Sequence, residues 1–286
     1  MPKGDLFTGL AGLPLGGDVF DLGKGVEIRK TYGHSMMPYL VAFNRAEPGK
    51  PHPPPWMPAE SGVGFDMEAM LQVPGEIDGA EHWEVARAIV FLLRLGVNPE
   101  VTAPIVCSHS FEELPGIQDG KARLMPLEVR KREFALKAEN ATLNATNAQW
   151  LKDRWPRTVT LMNESAEFEL AVAAMDAGQF ERNTALTLVS LWGALEALFA
   201  RERNELRFRV SSYIAAYVHP LGAKRREMQK VVAKLYDKRS AAVHGLPNHA
   251  NQDVLDTFSV LRSVMMRIVE EGEIPTRESL EAALFG

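Results

Sequence analysis

The stretch NTALTLVSLWGALEALFARER, residues 183–203, decides how this chain is read. Its apolar residues recur at steps of three and four. Leu188, Leu191, Trp192, Leu195, Leu198 and Phe199 therefore share one face of a helix. Glu196 falls within the edge of that arc, near Val189. A second segment, 222–244, puts Met228, Val231, Val232, Leu235 and Ala242 on one face, and Arg239 falls among them. Two helices thus each bring one opposite charge to an apolar seam. An unpaired charge there is costly, so a Glu196–Arg239 contact is expected. A structural salt bridge explains such a pair as readily as a functional site does.

Around these two segments the chain stays helical from about residue 145. Candidate helices cover 164–178, 183–203, 205–219, 222–244, 251–271 and a short 277–284. Gly178 and Gly245 stand where C-terminal caps belong, and Pro220 and Pro247 where a helix cannot continue. Short connections favour antiparallel neighbours, hence a bundle. The N-terminal half is mixed. Val26 and Ile28 alternate with charged residues, and Phe65, Met67, Ala69, Leu71 and Val73 alternate with mostly polar ones, which is the period of strands. Pro74-Gly75 stops the second strand, and the Pro-rich tract from Pro48 to Pro58 reads as an exposed loop. Glu81 to Leu95 reads as a helix closed by Gly96. Val101 to Cys107 reads as a strand that Pro104 pushes to an edge, and 121–129 adds another candidate strand. The expected class is α+β: a mixed N-terminal domain over 1–140 with a sensing or regulatory role, then a helical domain over 145–286.

Composition sets outer limits. With 46% hydrophobic and 24% charged residues, the chain has material for a globular core. Cys107 is the only cysteine, so an intramolecular disulfide and a cysteine zinc site are excluded. The first residues lack the basic-then-apolar order of a signal peptide, and no apolar run reaches the length of a membrane span. A cytoplasmic protein without membrane contact is expected. The net charge of −5 does not mark a nucleic-acid binder, yet residues 201–240 hold eleven Lys and Arg against four Asp and Glu. That local excess attracts polyphosphate, although a solvated helix face explains it equally well. No phosphate-binding Gly loop is present, and Gly16-Gly17 and Gly23 read as turns. His109 with Glu112 and Glu113, and His82 with Glu84, do not make a metal set, so neither a cofactor nor a metal is expected.

Residues 235–245, LYDKRSAAVHG, hold an Arg, four spacers and a His. Arg-x4-His alone is a weak pattern, but here it closes a long amphipathic helix with a Gly cap behind it. His244 would sit by the helix C-terminus, where free carbonyls favour an imidazolium and help it act as acid or base. The helix at Leu191–Phe199, the block Glu205–Val210 and the block Tyr236–Gly245, in that order, resemble the HEPN superfamily and more narrowly its Apea-like branch. The likeness spans about residues 180–270. It implies a helical bundle that works as a homodimer and, in many members, a metal-independent endoribonuclease. By the same resemblance Arg239 and His244 are catalytic and Ser240 assists. Glu196, as the partner of Arg239, and Tyr236 are auxiliary candidates, although packing alone explains Tyr236 more readily. A bacterial anti-phage or toxin setting is implied with them. The i to i+5 spacing separates Arg239 and His244 by about 140° on one helix. Two chains across a two-fold axis could bring an Arg and a His together at one RNA phosphate. The alternatives are a non-catalytic HEPN module that binds RNA, a nucleotide or a protein partner, and a plain structural protein in which Arg239 and Glu196 only stabilise the fold.

Overall fold

The computed structural model describes residues 4–118, 120–134, 136, 138, 141–200, 206–243 and 249–285, with the backbone alone at 37–39 and 58–63. Strands β1 (Leu6–Ala11), β2 (Val19–Asp21), β3 (Glu27–Ala42) and β4 (Trp56–Val73) come first. Helix α1 (His82–Gly96) follows, then β5 (Thr102–Cys107) and β6 (Leu124–Pro126). The rest is helical: α2 (Ala145–Glu164), α3 (Ala166–Gly178), α4 (Thr184–Phe199), α5 (Leu206–Val218), α6 (Ala223–Val243), α7 (Asn251–Glu271) and α8 (Arg277–Phe285). The class is α+β, as the sequence suggested.

The strands form one antiparallel sheet in the order β2-β3-β4-β1-β5-β6. β1 lies at its centre and is buried at all six positions. Leu6 and Leu10 join the main core, while Phe7 packs with Met70 and Cys107 on the opposite face. A strand covered on both faces has no polar alternation, so it leaves no period-two signal. Gly9 is required by packing, because a Cβ there would meet Met67 Sδ at 2.5 Å and Phe111 Cζ at 2.7 Å.

β5 corrects the edge expectation. It pairs with β1 on one side and with the short β6 on the other. Pro104 is tolerated because the β1–β5 register slips between Gly9 and Ala11, and the ladder there needs no N–H from it. The distal parts of β3 and β4, residues 31–42 and 56–66, pair only with each other. This two-stranded arm leaves Tyr32, Met36, Leu40, Phe43, Trp56 and Met57 exposed. The end of the Pro-rich tract, from Trp56, belongs to β4 rather than to the loop.

Helix α1 starts where Glu81 N donates to Glu84 Oε2 at 3.3 Å. It stops where Arg262 of α7 donates to Leu95 O through Nε and Nη2, at 3.0 and 2.8 Å. Gly96 then lets the Trp150 ring approach, since a Cβ would meet it at 2.7 Å. Helix α2 is capped by Asn144, whose Oδ1 accepts from Thr146 N and Asn147 N. Its Trp155 donates from Nε1 to Leu22 O at 2.9 Å, tying the bundle to the turn after β2. One apolar core runs without interruption from Leu6 and Leu71 of the sheet through α1 and α2 to Val264 of α7 and Leu280 of α8.

Candidate functional site

Asn183 caps α4 by accepting from Ala185 N and Leu186 N at 3.0 and 3.3 Å. That fixes the phase of the helix. Leu188, Leu191, Trp192, Leu195 and Leu198 are buried as the spacing requires, and Glu196 stands at the margin. On α6, Val232 and Leu235 are buried, but Val231 is 42% exposed, so the apolar face is narrower than its sequence suggests. Arg239 emerges one turn beyond Leu235.

The two charges meet. Arg239 Nη2 donates to Glu196 Oε2 at 2.9 Å, with 23% and 21% of the respective side chains exposed. The ion pair sits on an aromatic base. The Arg239 guanidinium lies 5.7 Å from the centre of the Tyr236 ring, and Tyr236 meets Trp192 edge-on at 5.2 Å. The i to i+4 step from Trp192 to Glu196 and the i to i+3 step from Tyr236 to Arg239 place these four side chains opposite one another. Burial and the adjacent Glu196 carboxylate raise the Tyr236 phenol above its ordinary value, against the opposing pull of Arg239. Tyr236 is therefore a neutral aromatic wall at physiological pH.

The quartet is not saturated. Arg239 Nε, Glu196 Oε1 and Trp192 Nε1 are buried without a hydrogen-bond partner among the described residues. A second ion pair flanks it: Arg207 of α5 grips Asp237 with both prongs at 2.7 and 2.8 Å, which holds the Asp237 carboxyl below its ordinary value. Ser240 follows Arg239 on α6 and is half-buried. His244 lies outside the described residues, one position past the last described residue of α6. His249 is placed by Thr184, whose Oγ1 is 2.8 Å from its Nε2.

The basic excess of 201–240 divides once side chains are placed. Arg207 is held by Asp237, Arg225 donates to His219 O and Ala283 O, and Arg239 is held by Glu196. Lys224, Arg226, Lys230 and Lys234 are exposed along α6. Sequence reasoning found Glu196, Arg239 and Tyr236. It missed Trp192 as their floor, because a Trp on an apolar face gives no sign of facing a charged pair, and it missed the Arg207–Asp237 clamp, which joins residues thirty apart. Among the described residues no three His, Cys, Asp or Glu side chains gather to hold a metal, and no helix is long and apolar enough to cross a membrane. No protein-family model, no curated protein and no solved structure matches this chain.

Proposed function

We propose that the chain is an endoribonuclease of HEPN type that works without a metal. Arg239 would clamp the phosphate and His244 would move the proton. The 2′-hydroxyl of the RNA attacks the adjacent phosphorus and gives up its proton to an imidazole. The P–O5′ bond breaks, the leaving oxygen takes a proton, and a 2′,3′-cyclic phosphate remains. A guanidinium fork suits the charged non-bridging oxygens. Ser240 and Tyr236 stand beside Arg239 as further contacts, and Glu196 orients it. The residue pair is completed across a homodimer of the helical domain, since one straight helix splays positions 239 and 244 apart. A bacterial defence or toxin role comes with the resemblance alone.

The observation that carries this reading is the state of Arg239. It is half-buried, held by one hydrogen bond among the described residues, and keeps a spare Nε donor there, on a helix that carries the exposed Lys224, Lys230 and Lys234. A guanidinium serving only as a fold-stabilising strut would be expected to use its fork fully. The test is to incubate the full chain with mixed RNAs in a chelator and to compare His244→Ala and Arg239→Ala. Cleavage to 2′,3′-cyclic ends by the parent chain, lost in both variants while RNA binding and folding persist in His244→Ala, supports the nuclease. RNA binding by the parent without cleavage, across the buffer conditions tried, leaves the non-catalytic binding module as the reading.

A further inference from the structure

Helices α1, α3 and α7 leave a cavity of about 260 Å³ between them. Much of its wall is apolar, with Phe91 from α1, Met175 from α3, and Leu255 and Phe258 from α7. Arg262 lines it from the same face of α7, one turn beyond Phe258 and two beyond Leu255. Ser259, between them, is exposed and forms part of the rim.

Arg262 is only partly used. Its Nε and Nη2 donate to Leu95 O at 3.0 and 2.8 Å, at the end of α1. A guanidinium has five N–H donors. Closing α1 takes the Nε edge and leaves the end-on fork, in which Nη1 and Nη2 each point one N–H the same way. Nη1 makes no hydrogen bond among the described residues and is not sealed from solvent. That fork has the shape of a carboxylate.

The other charges around the cavity cancel. Arg94 donates to Glu128 at 2.6 Å and to Asp176 at 2.8 Å. Arg132 lies beside this group and feels both carboxylates, while its own hydrogen bonds go to Pro99 O, Val101 O, Thr102 and Gln179. Two guanidinium groups therefore stand against two carboxylates. Glu100, which also bears on Arg132, is exposed and screened by water. Arg262 is the cation left over. Burial holds its guanidinium below the ordinary value, and no carboxylate pairs with it among the described residues. A half-covered cation without a counter-charge is costly, and one negative charge offsets it. A neutral ligand would leave the fork unmatched. A dianion would bring one charge more than the site matches, and a bare inorganic ion would leave the apolar walls wet. The volume lies below the roughly 300–1,000 Å³ of pockets that hold drug-sized ligands, so the occupant is small.

We propose that this cavity binds a small monocarboxylate with an apolar body, its carboxylate on the free fork of Arg262 and its hydrocarbon part against Phe91, Met175, Leu255 and Phe258. The site shares no residue with the Glu196–Arg239 seam and stands whether or not the chain cuts RNA.

The test is calorimetric titration of the full chain with hexanoate, benzoate and phenylacetate, beside the neutral hexanamide and benzamide, acetate and inorganic phosphate. At least one of the three carboxylates should bind with one-to-one stoichiometry. Its amide should bind at least tenfold more weakly, the effect of losing a charged hydrogen-bonding partner. Acetate, which lacks the body, should also be weaker. Arg262→Gln should lose the binding. Because that change also touches the end of α1, Ser259→Trp provides a second variant: it fills the rim from an exposed position, leaves Arg262 in place, and should block binding while melting like the parent. The proposal is overturned if none of the three carboxylates binds up to its solubility limit, or if the amide or acetate binds as tightly as the best of them. It is equally overturned if phosphate binds more tightly than that carboxylate, or if folded Ser259→Trp binds it as the parent does.

Discussion

The Glu196–Arg239 contact can be measured as a coupling energy with the variants Glu196→Gln, Arg239→Met and their combination. The two side chains are about four-fifths covered, so the pair lies between two regimes. Exposed ion pairs couple by about 0.2–1 kcal/mol, and stripping one partner from a fully buried pair costs about 3–5 kcal/mol. One hydrogen bond of 2.9 Å rather than a fork, with Glu196 Oε1 and Arg239 Nε unmatched among the described residues, pulls the value toward the lower regime. Arg239→Met should cost about 2 kcal/mol, because it leaves a carboxylate without its cation over the Trp192–Tyr236 pair. Glu196→Gln should cost about 1 kcal/mol, since an amide can still accept from the guanidinium. The double variant should cost about 2 kcal/mol rather than the sum, a coupling near 1 kcal/mol. Urea unfolding followed by circular dichroism resolves such differences if the slope is unchanged across the set. If the single effects add to within about 0.3 kcal/mol, the two groups do not interact in solution and the geometry argued for the seam is wrong.

Trp192→Ala should be the harshest change in the bundle, at about 3–5 kcal/mol, because it removes a fully buried ring and the edge contact to Tyr236; a lowered urea midpoint is the readout. Gly9→Ala should cost about 1–3 kcal/mol by overpacking against Met67 and Phe111, and Gly9→Ala combined with Phe111→Leu should recover part of it in the same assay. Burial pushes the Cys107 thiol up to about 11, so a thiol reagent at pH 8 should label the folded chain slowly and the urea-unfolded chain at once. The same shift means that stability falls as pH climbs from the ordinary thiol range toward that value, since only the unfolded chain releases the proton there. Asp237 behaves in the opposite sense. Its carboxyl is depressed by Arg207, so its contribution is complete above the ordinary carboxylate value and is lost as pH falls through the depressed one; Asp237→Asn should flatten that part of an acid melting profile.

Much of the helical half was legible because its helices are amphipathic and punctuated. The segment 251–271 coincides with α7, and Gly178 ends α3 as its position suggested. Helix α2 escaped notice for opposite reasons. Its first turn is Ala-Thr-Asn rich, and Pro156 in its interior reads as a break. The sheet was legible only where one face meets solvent. The alternation at 65–73 showed β4, whereas β1, covered on both sides, shows no alternation at all. Of the site, the ion pair could be read because helical period puts positions 196 and 239 in phase with their apolar faces.

Helix α1 is enclosed on nearly every side, with Val85, Ile89, Phe91, Leu92 and Leu95 all within 1% of complete burial. It meets the sheet, α2 and α7 at once. A chain divided near residue 140 would tear those surfaces apart and strand apolar groups on both fragments. Neither fragment should then remain dispersed on its own, and mixing the two should restore what each lacks. The change in texture along the chain near that residue is therefore a change in how the polymer is wound and not a place where the solid comes apart.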